Sequence, residues 1–179
     1  MWLLIGQSIW FILPAGIANL TASLSRFIPL LRYSVDFGAT WRGKRIFGSH
    51  KTWRGIIFGT IFGLLTFLLQ QYLYRFDFFE TLSRFDYPET TWALGILLSS
   101  GAVWGDTIRS FFKRRVNRAP GTPWIPFDQI DYTVGAIAAA SIVHFPGWGF
   151  VVFTVCFGFG LHILFNLLGY ALRLQKNKF

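Results

Sequence analysis

Five apolar segments, each ended by charge or by proline and glycine, decide what this chain can fold into. They run from about Trp2 to Leu24, Gly55 to Tyr74, Thr91 to Phe112, Tyr132 to Phe145 and Phe150 to Leu172, the last two parted by Pro146 to Gly149. A bilayer core of ~30 Å asks for ~20 apolar residues per helix. Four segments meet that length. The fourth is short, which predicts either a start nearer Asp128 or a locally thin membrane. Membrane β-barrels show ~10-residue alternating segments, and these runs are continuous. Charged residues make up 14% of the chain and hydrophobic ones 53%, against about 25% charged in soluble domains. The reading is an all-α integral membrane protein, a single domain over residues 1–179, built as a bundle of about five transmembrane helices.

Charge orients the bundle. Of seventeen lysines and arginines, all but Arg75 and Arg84 fall in the stretches 26–54, 109–118 and 173–178. The loop from Arg75 to Thr90 instead carries Asp77, Glu80, Asp86 and Glu89. The positive-inside rule places the basic side in the cytoplasm. The N-terminus is then outside, the C-terminus cytoplasmic, and the location is the cell membrane, multi-pass. A net charge of +9 in such a chain reads as orientation and anionic-lipid contact, with no nucleic acid. The first segment has no basic residues ahead of it and reads as a retained span, not a cleaved signal. Cys156 in its apolar run reads as a buried inert thiol. Gly55, Gly59 and Gly63 recur every four residues, as do Gly101 and Gly105. Such stripes let helices approach closely; they predict tight packing and would also allow a homodimer.

Function is predicted at the cytoplasmic edge. In "WGDTIRSFFKRR", Asp106, Arg109, Ser110, Lys113 and Arg114 share one helix face. Asp106 and Arg109 can pair, which would make this a snorkelling helix end. A carboxylate inside a membrane segment is nevertheless a functional candidate by default. Asp128 and Asp131 stand one turn apart before the fourth segment, where Asp128 could cap a helix. With Asp36, these are the only acids on the basic side. Hard carboxylate oxygens in that number suit Mg²⁺ held together with substrate phosphates.

The third element is "RGKRIFGSHKTWRG", Arg42 to Gly55, dense in cations and glycine. Lys51, Thr52 and the first free N–H groups of the second helix would form an anion site. It lacks P-loop spacing, and plain contact with anionic lipid is its simpler explanation. His50 could touch phosphate. His144 and His162 lie in apolar runs on or near the outer side and read as structural. Polyphosphate-binding cations and metal-binding carboxylates thus meet at the membrane surface. That suits the joining of a cytosolic nucleotide to a lipid phosphate, with pyrophosphate leaving and no protein nucleophile needed.

"VDFGATWRGKRIFGSHKTWRG", "GDTIRSFFKRR" with "PFDQIDYTVGA", and "LPAGIANL" with Asn19 resemble the CDP-archaeol synthases, the CTP:2,3-di-O-geranylgeranylglycerol-1-phosphate cytidylyltransferases. The resemblance runs from about Leu13 to Ala136. CDP-diacylglycerol synthases share it more loosely, through Lys51, Thr52 and Gly55, then Gly105, Asp106, Ser110, Lys113 and Arg114, then Asp128 and Asp131. Those relatives carry a lysine-aspartate pair where this chain has "VNRAPG", which favours the archaeol branch. Ser49 stands where that branch often has an acid.

The resemblance implies Mg²⁺-dependent transfer from CTP to a membrane lipid phosphate, with the active site facing the cytoplasm. Asp106, Asp128 and Asp131 would be the metal ligands and, with Lys113, the catalytic residues. Asn19, Arg42, Lys44, Lys51, Thr52, Arg54, Ser110 and Arg114 would bind the substrates. The rival readings are a CDP-diacylglycerol synthase acting on phosphatidic acid, a CTP-dependent polyprenol or phytol kinase releasing CDP, and a cationic scaffold that clusters anionic lipid.

Overall fold

Proline in the first apolar run sets one of the bundle's contacts. Pro14 lies inside helix α1, Trp2–Leu24. It has no N–H, so the carbonyl of Trp10 loses its helical donor. Gln70, buried on helix α2, Trp53–Leu73, donates Nε2 to that carbonyl at 2.6 Å. The computed structural model in which this is seen describes residues 1–118 and 122–171. The basic tail residues Arg173, Lys176 and Lys178 lie outside the described residues.

After α1 come a 3₁₀ turn, Ser25–Phe27, and a small antiparallel hairpin, β1 Thr40–Trp41 and β2 Lys44–Arg45, before α2. Then follow α3 Asp77–Leu82, α4 Trp92–Arg115, α5 Phe127–Ala140 and α6 Trp148–Ala171. Five helices thus match the five apolar segments. The short α3, in the acidic loop, and the hairpin are additions that hydropathy does not reveal. Helix α5 begins within the polar stretch, so Asp128 and Asp131 both lie on it, and it ends before Phe145.

The glycine stripes are spent inside the chain. A Cβ at Gly59 would stand 2.8 Å from the Ala18 carbonyl and 2.9 Å from Val103 Cγ2, and one at Gly63 would stand 2.8 Å from the Pro14 carbonyl. That stripe therefore joins α1, α2 and α4. At the crossing of α4 and α5, a Cβ on Gly101 would lie 2.6 Å from Ala139 Cβ, and Gly105 faces the backbone of Asp131 and Gly135. The stripes pack the bundle's own helices, leaving no glycine face for a homodimer at these positions.

Large apolar side chains point outward along α2: Ile61, Phe62, Leu65 and Leu69 are all exposed. Trp2–Phe27 and Trp53–Leu73 are long and apolar enough to cross a membrane. Cys156, expected buried, is exposed on the outer surface of α6, because an apolar neighbourhood in sequence does not say which face of the helix packs inward. On the acidic-loop side, Phe85 stacks on Phe67, Tyr87 packs at a tilt against the same ring, and Phe85 also meets Phe11, so that end of the bundle is closed by aromatic packing.

Candidate active site

Helices α4 and α5 cross at their glycines, and this close approach brings three carboxylates onto one guanidinium. Arg109 donates from Nη2 to Asp106 Oδ1 at 2.5 Å and from Nη1 to Asp128 Oδ1 at 2.7 Å. Its Nε lies 3.0 Å from Asp131 Oδ2. Two lysines complete the cluster. Lys51 pairs with Asp106, and Lys113 reaches Asp128 Oδ2 at 3.0 Å. Three negative charges face three positive ones, which makes their partial burial tolerable. Asp128 also accepts the Trp124 N–H at 2.9 Å. It closes the turn leading into α5 instead of capping the helix, whose first residue is Phe127.

The predicted stripe on α4 is real, and its members divide. Ser110 donates to the Asp106 carbonyl at 3.0 Å. Lys113 turns to Asp128. Arg114 donates Nε to the Phe47 carbonyl at 2.8 Å, fastening the basic loop to the end of α4. Arg115 does more of the same work: it donates to the carbonyls of Trp41, Lys44 and Arg45 and stacks on the rings of Trp41 and Phe111. Nothing in the sequence distinguishes a cation that grips carbonyls from one left for phosphate.

The basic loop is organised by Asp36, whose side chain is wholly buried. Arg45 and the N–H groups of Gly38, Phe47 and Gly48 all donate to its carboxylate. Burial alone would raise its pKa; these hydrogen bonds, Arg45's first, outweigh burial and hold it well below the usual carboxylate range. Asp36 is thus a structural anion, apart from the other three aspartates. At the hairpin tip Arg42 and Gly43 both take positive φ, 53° and 75°, as a two-residue turn of this class requires.

Of the other predicted substrate residues, Lys51 and Thr52 line a polar pocket with Ser23, His50, Asp106 and Thr107. Asn19 lies on α1 one turn before Ser23. Arg42 is exposed at the hairpin tip with its guanidinium over Trp41. Arg54 donates to the Ile28 carbonyl at 2.9 Å. Lys44 pairs with Asn117 and, with Arg45, Arg114 and Arg118, lines a separate cationic cleft of about 300 Å³. Two corrections follow. The N–H groups of Trp53 and Arg54 are not free, since they donate to the Tyr33 and Leu31 carbonyls at 3.0 and 3.1 Å; neither is available to an anion in the pocket, which Gly55 also lines. His162 is not near the outer side: Asp128 and Arg109 act on it electrostatically, because α6 runs back toward the basic face.

Sequence reasoning underrated Arg109, reading it as a partner for Asp106 alone. The signal present was its spacing, three residues after one aspartate on a helix that must pass the other two. Among the described residues, no three His, Cys, Asp or Glu side chains already form a cage for a metal ion. The chemistry of the donors, all carboxylate oxygens, is of the kind hard divalent cations take. Three carboxylates converge on one cationic group, and oxygen-only ligands in part-polar surroundings are what such ions take.

A family model described as CarS-like, CDP-archaeol synthase, matches residues 1–179. The chain belongs to the CDP-archaeol synthase family. It is 34% identical to the CDP-archaeol synthase of Methanocaldococcus jannaschii over 174 residues, covering 96% of each chain. It is 36% identical to that of Pyrococcus furiosus, covering 93% of each. For that of Methanopyrus kandleri the identity is 37%, with 98% of this chain and 94% of the relative covered. A solved structure, described as an intramembrane enzyme for archaeal membrane lipids biosynthesis, superposes with a TM-score of 0.70 at 26% identity, covering 89% of this chain and 92% of that one. Family membership and the exposed apolar helices together mark a membrane protein.

Proposed function

We propose that the Arg109-centred cluster is the site where this membrane cytidylyltransferase joins CTP to the phosphate of 2,3-di-O-geranylgeranylglycerol 1-phosphate. The chain is a CTP-dependent transferase of archaeal lipid synthesis, as its family membership implies. The observation that carries the site assignment is the meeting of Asp106, Asp128 and Asp131 on Arg109, flanked by Lys51 and Lys113. In the reaction an oxygen of the lipid phosphate attacks the α-phosphorus of CTP. The bond to the β-phosphate's bridging oxygen breaks, and pyrophosphate leaves with its electron pair.

The residues supply charge and position. Lys51, Thr52 and His50, around the polar pocket beside Asp106, hold phosphates of CTP, with Asn19 at the α1 side. Lys44, Arg114 and Arg118 give the cationic cleft a further hold on anionic substrate. Arg109 and Lys113 neutralise charge at the reacting phosphates. Ser110 holds Asp106's turn of helix in place. Asp106, Asp128 and Asp131 would hold Mg²⁺, which when bound supplies further positive charge to the polyphosphate. Arg54 donates to the Ile28 carbonyl and braces the loop in this reading, while Arg42, over the Trp41 ring at the exposed hairpin tip, remains available to substrate phosphate.

Five spans, α1, α2, α4, α5 and α6, with the N-terminus outside and the site facing the cytoplasm, agree with the grouping of the cations around this cluster. The test is transfer of label from CTP marked at the α-phosphate into lipid extract. Parallel arms offer the geranylgeranyl lipid phosphate, phosphatidic acid and a polyprenol. Label in the lipid phase with the first substrate, and pyrophosphate in the aqueous phase, is the expected result. Label arriving only from the γ-phosphate, with CDP released, would establish the kinase instead.

A further inference from the structure

Helix α5 packs far more closely on α4 than on α6. Between α5 and α6 lies a groove of about 430 Å³, lined by Val134, Ala138 and Ser141 on one side and Trp148, Val151 and Val155 on the other. Ser141 donates its hydroxyl to the Ile137 carbonyl at 2.7 Å, so it presents no unpaired polar group to the groove. The α5 wall is a continuation of the site. Asp131, Val134, Ala138 and Ser141 follow one another at helical spacings of three, four and three residues, along one stripe of the helix. The groove therefore opens one turn beyond Asp131, about 5 Å along the axis, and runs about 10 Å farther from the basic side. Asp131 itself faces the Arg109 cluster.

We propose that this groove seats one hydrocarbon chain of the lipid phosphate during transfer; the inference rests on the reading that a lipid phosphate reacts at the Arg109 cluster. A phosphate held there must send its chains away from the cytoplasm, and the groove leaves the cluster in that direction with an apolar wall. Small side chains at Ala138 and Ser141 leave room for a chain thickened by methyl branches. In a bilayer the chain gains little by moving from lipid to protein, since both are apolar. The groove therefore acts on alignment of the phosphate, not on affinity.

The test fills the groove. Ala138→Trp is compared with the unsubstituted protein on a lipid phosphate with two long chains and on one whose chains stop after a few carbons. Ile142→Trp, on the exposed neighbour, is the control and should leave both activities unchanged. Misaligning a reacting group by about 1 Å can cost about a hundredfold, so the long-to-short activity ratio of Ala138→Trp should fall by at least about tenfold. An unchanged ratio, whether both activities hold or both drop, overturns the groove. The second measurement needs no variant: a lipid phosphate with a photoreactive group in mid-chain, added to the unsubstituted protein. Labelling of the segments 134–141 or 148–155, displaced by unlabelled lipid phosphate and not by a neutral diacyl lipid, supports the seat. Labelling elsewhere, or displacement by both lipids alike, overturns it. Failure of the unsubstituted protein to release pyrophosphate with either lipid would instead refute the transfer reaction, and the labelling result would still decide the groove.

Discussion

Replacing Arg109 by alanine removes the one cation shared by all three site aspartates. The lost contacts are two charge-assisted hydrogen bonds, at 2.5 and 2.7 Å, and an ion pair at 3.0 Å. The side chains involved are between 6% and 18% exposed, so water only partly replaces them. Removing one partner of a buried ion pair costs about 3–5 kcal/mol. Lys51 and Lys113 remain, and water entry tempers the loss, so about 3 kcal/mol is the reasonable figure. At about 2–4 °C per kcal/mol for a chain of this size, the melting temperature in detergent should fall by about 6–12 °C. Millimolar Mg²⁺ should then raise the variant's Tm more than the parent's, since the ion no longer competes with a guanidinium for the carboxylates. Turnover should fall by at least about a hundredfold, because a charge facing the reacting phosphates is gone. The assays are a thermal melt with and without Mg²⁺ and pyrophosphate release. A variant that melts like the parent, or that Mg²⁺ shifts no more than the parent, would refute the shared-cation account.

Two further outcomes are expected. Asp36→Asn leaves Arg45 and at least one loop N–H without an ionised acceptor, and should cost about 2–3 kcal/mol, read as a Tm loss. Because Asp36's native pKa is depressed, its stabilising effect is complete above the unfolded value of about 3.9 and fades as pH falls below it. The parent should therefore lose Tm below about pH 4, and the variant should show a shallower acid limb. Gln70→Leu orphans the Trp10 carbonyl that Pro14 leaves free, for a loss of about 1–3 kcal/mol; Pro14→Ala in the same background should recover much of it, and a failure to do so would break the link between those residues.

Much of this molecule can be read from the chain because membrane helices announce themselves by length and composition. The α1 and α2 boundaries, the α4 stripe and the Asp106–Arg109 pair all follow from hydropathy and 3.6-residue spacing. What escapes is the destination of each polar group. Arg114 and Arg54, expected among the substrate ligands, each also give a donor to a carbonyl distant in sequence, as Arg115 does with three, and no pattern in the string of cations shows which will do so. Asp36 looks like a third or fourth metal ligand until its four donors are seen to come from the same loop. The start of α5 is legible as one of two alternatives, a beginning nearer Asp128, and the helix does begin at Phe127. His162 was misplaced because one apolar run gives no depth coordinate. Such facts depend on tertiary partners, and a single chain's periodicity does not encode them.

The most direct test of the central claim is lipid-dependent pyrophosphate release from CTP and Mg²⁺, measured on the unsubstituted protein, Asp128→Asn and Asp131→Asn, each with its melting temperature. The account expects release only when the lipid phosphate is present, and a loss of at least about a hundredfold in both folded variants. Near-normal turnover in both variants would contradict the placement of the chemistry at the Arg109 cluster.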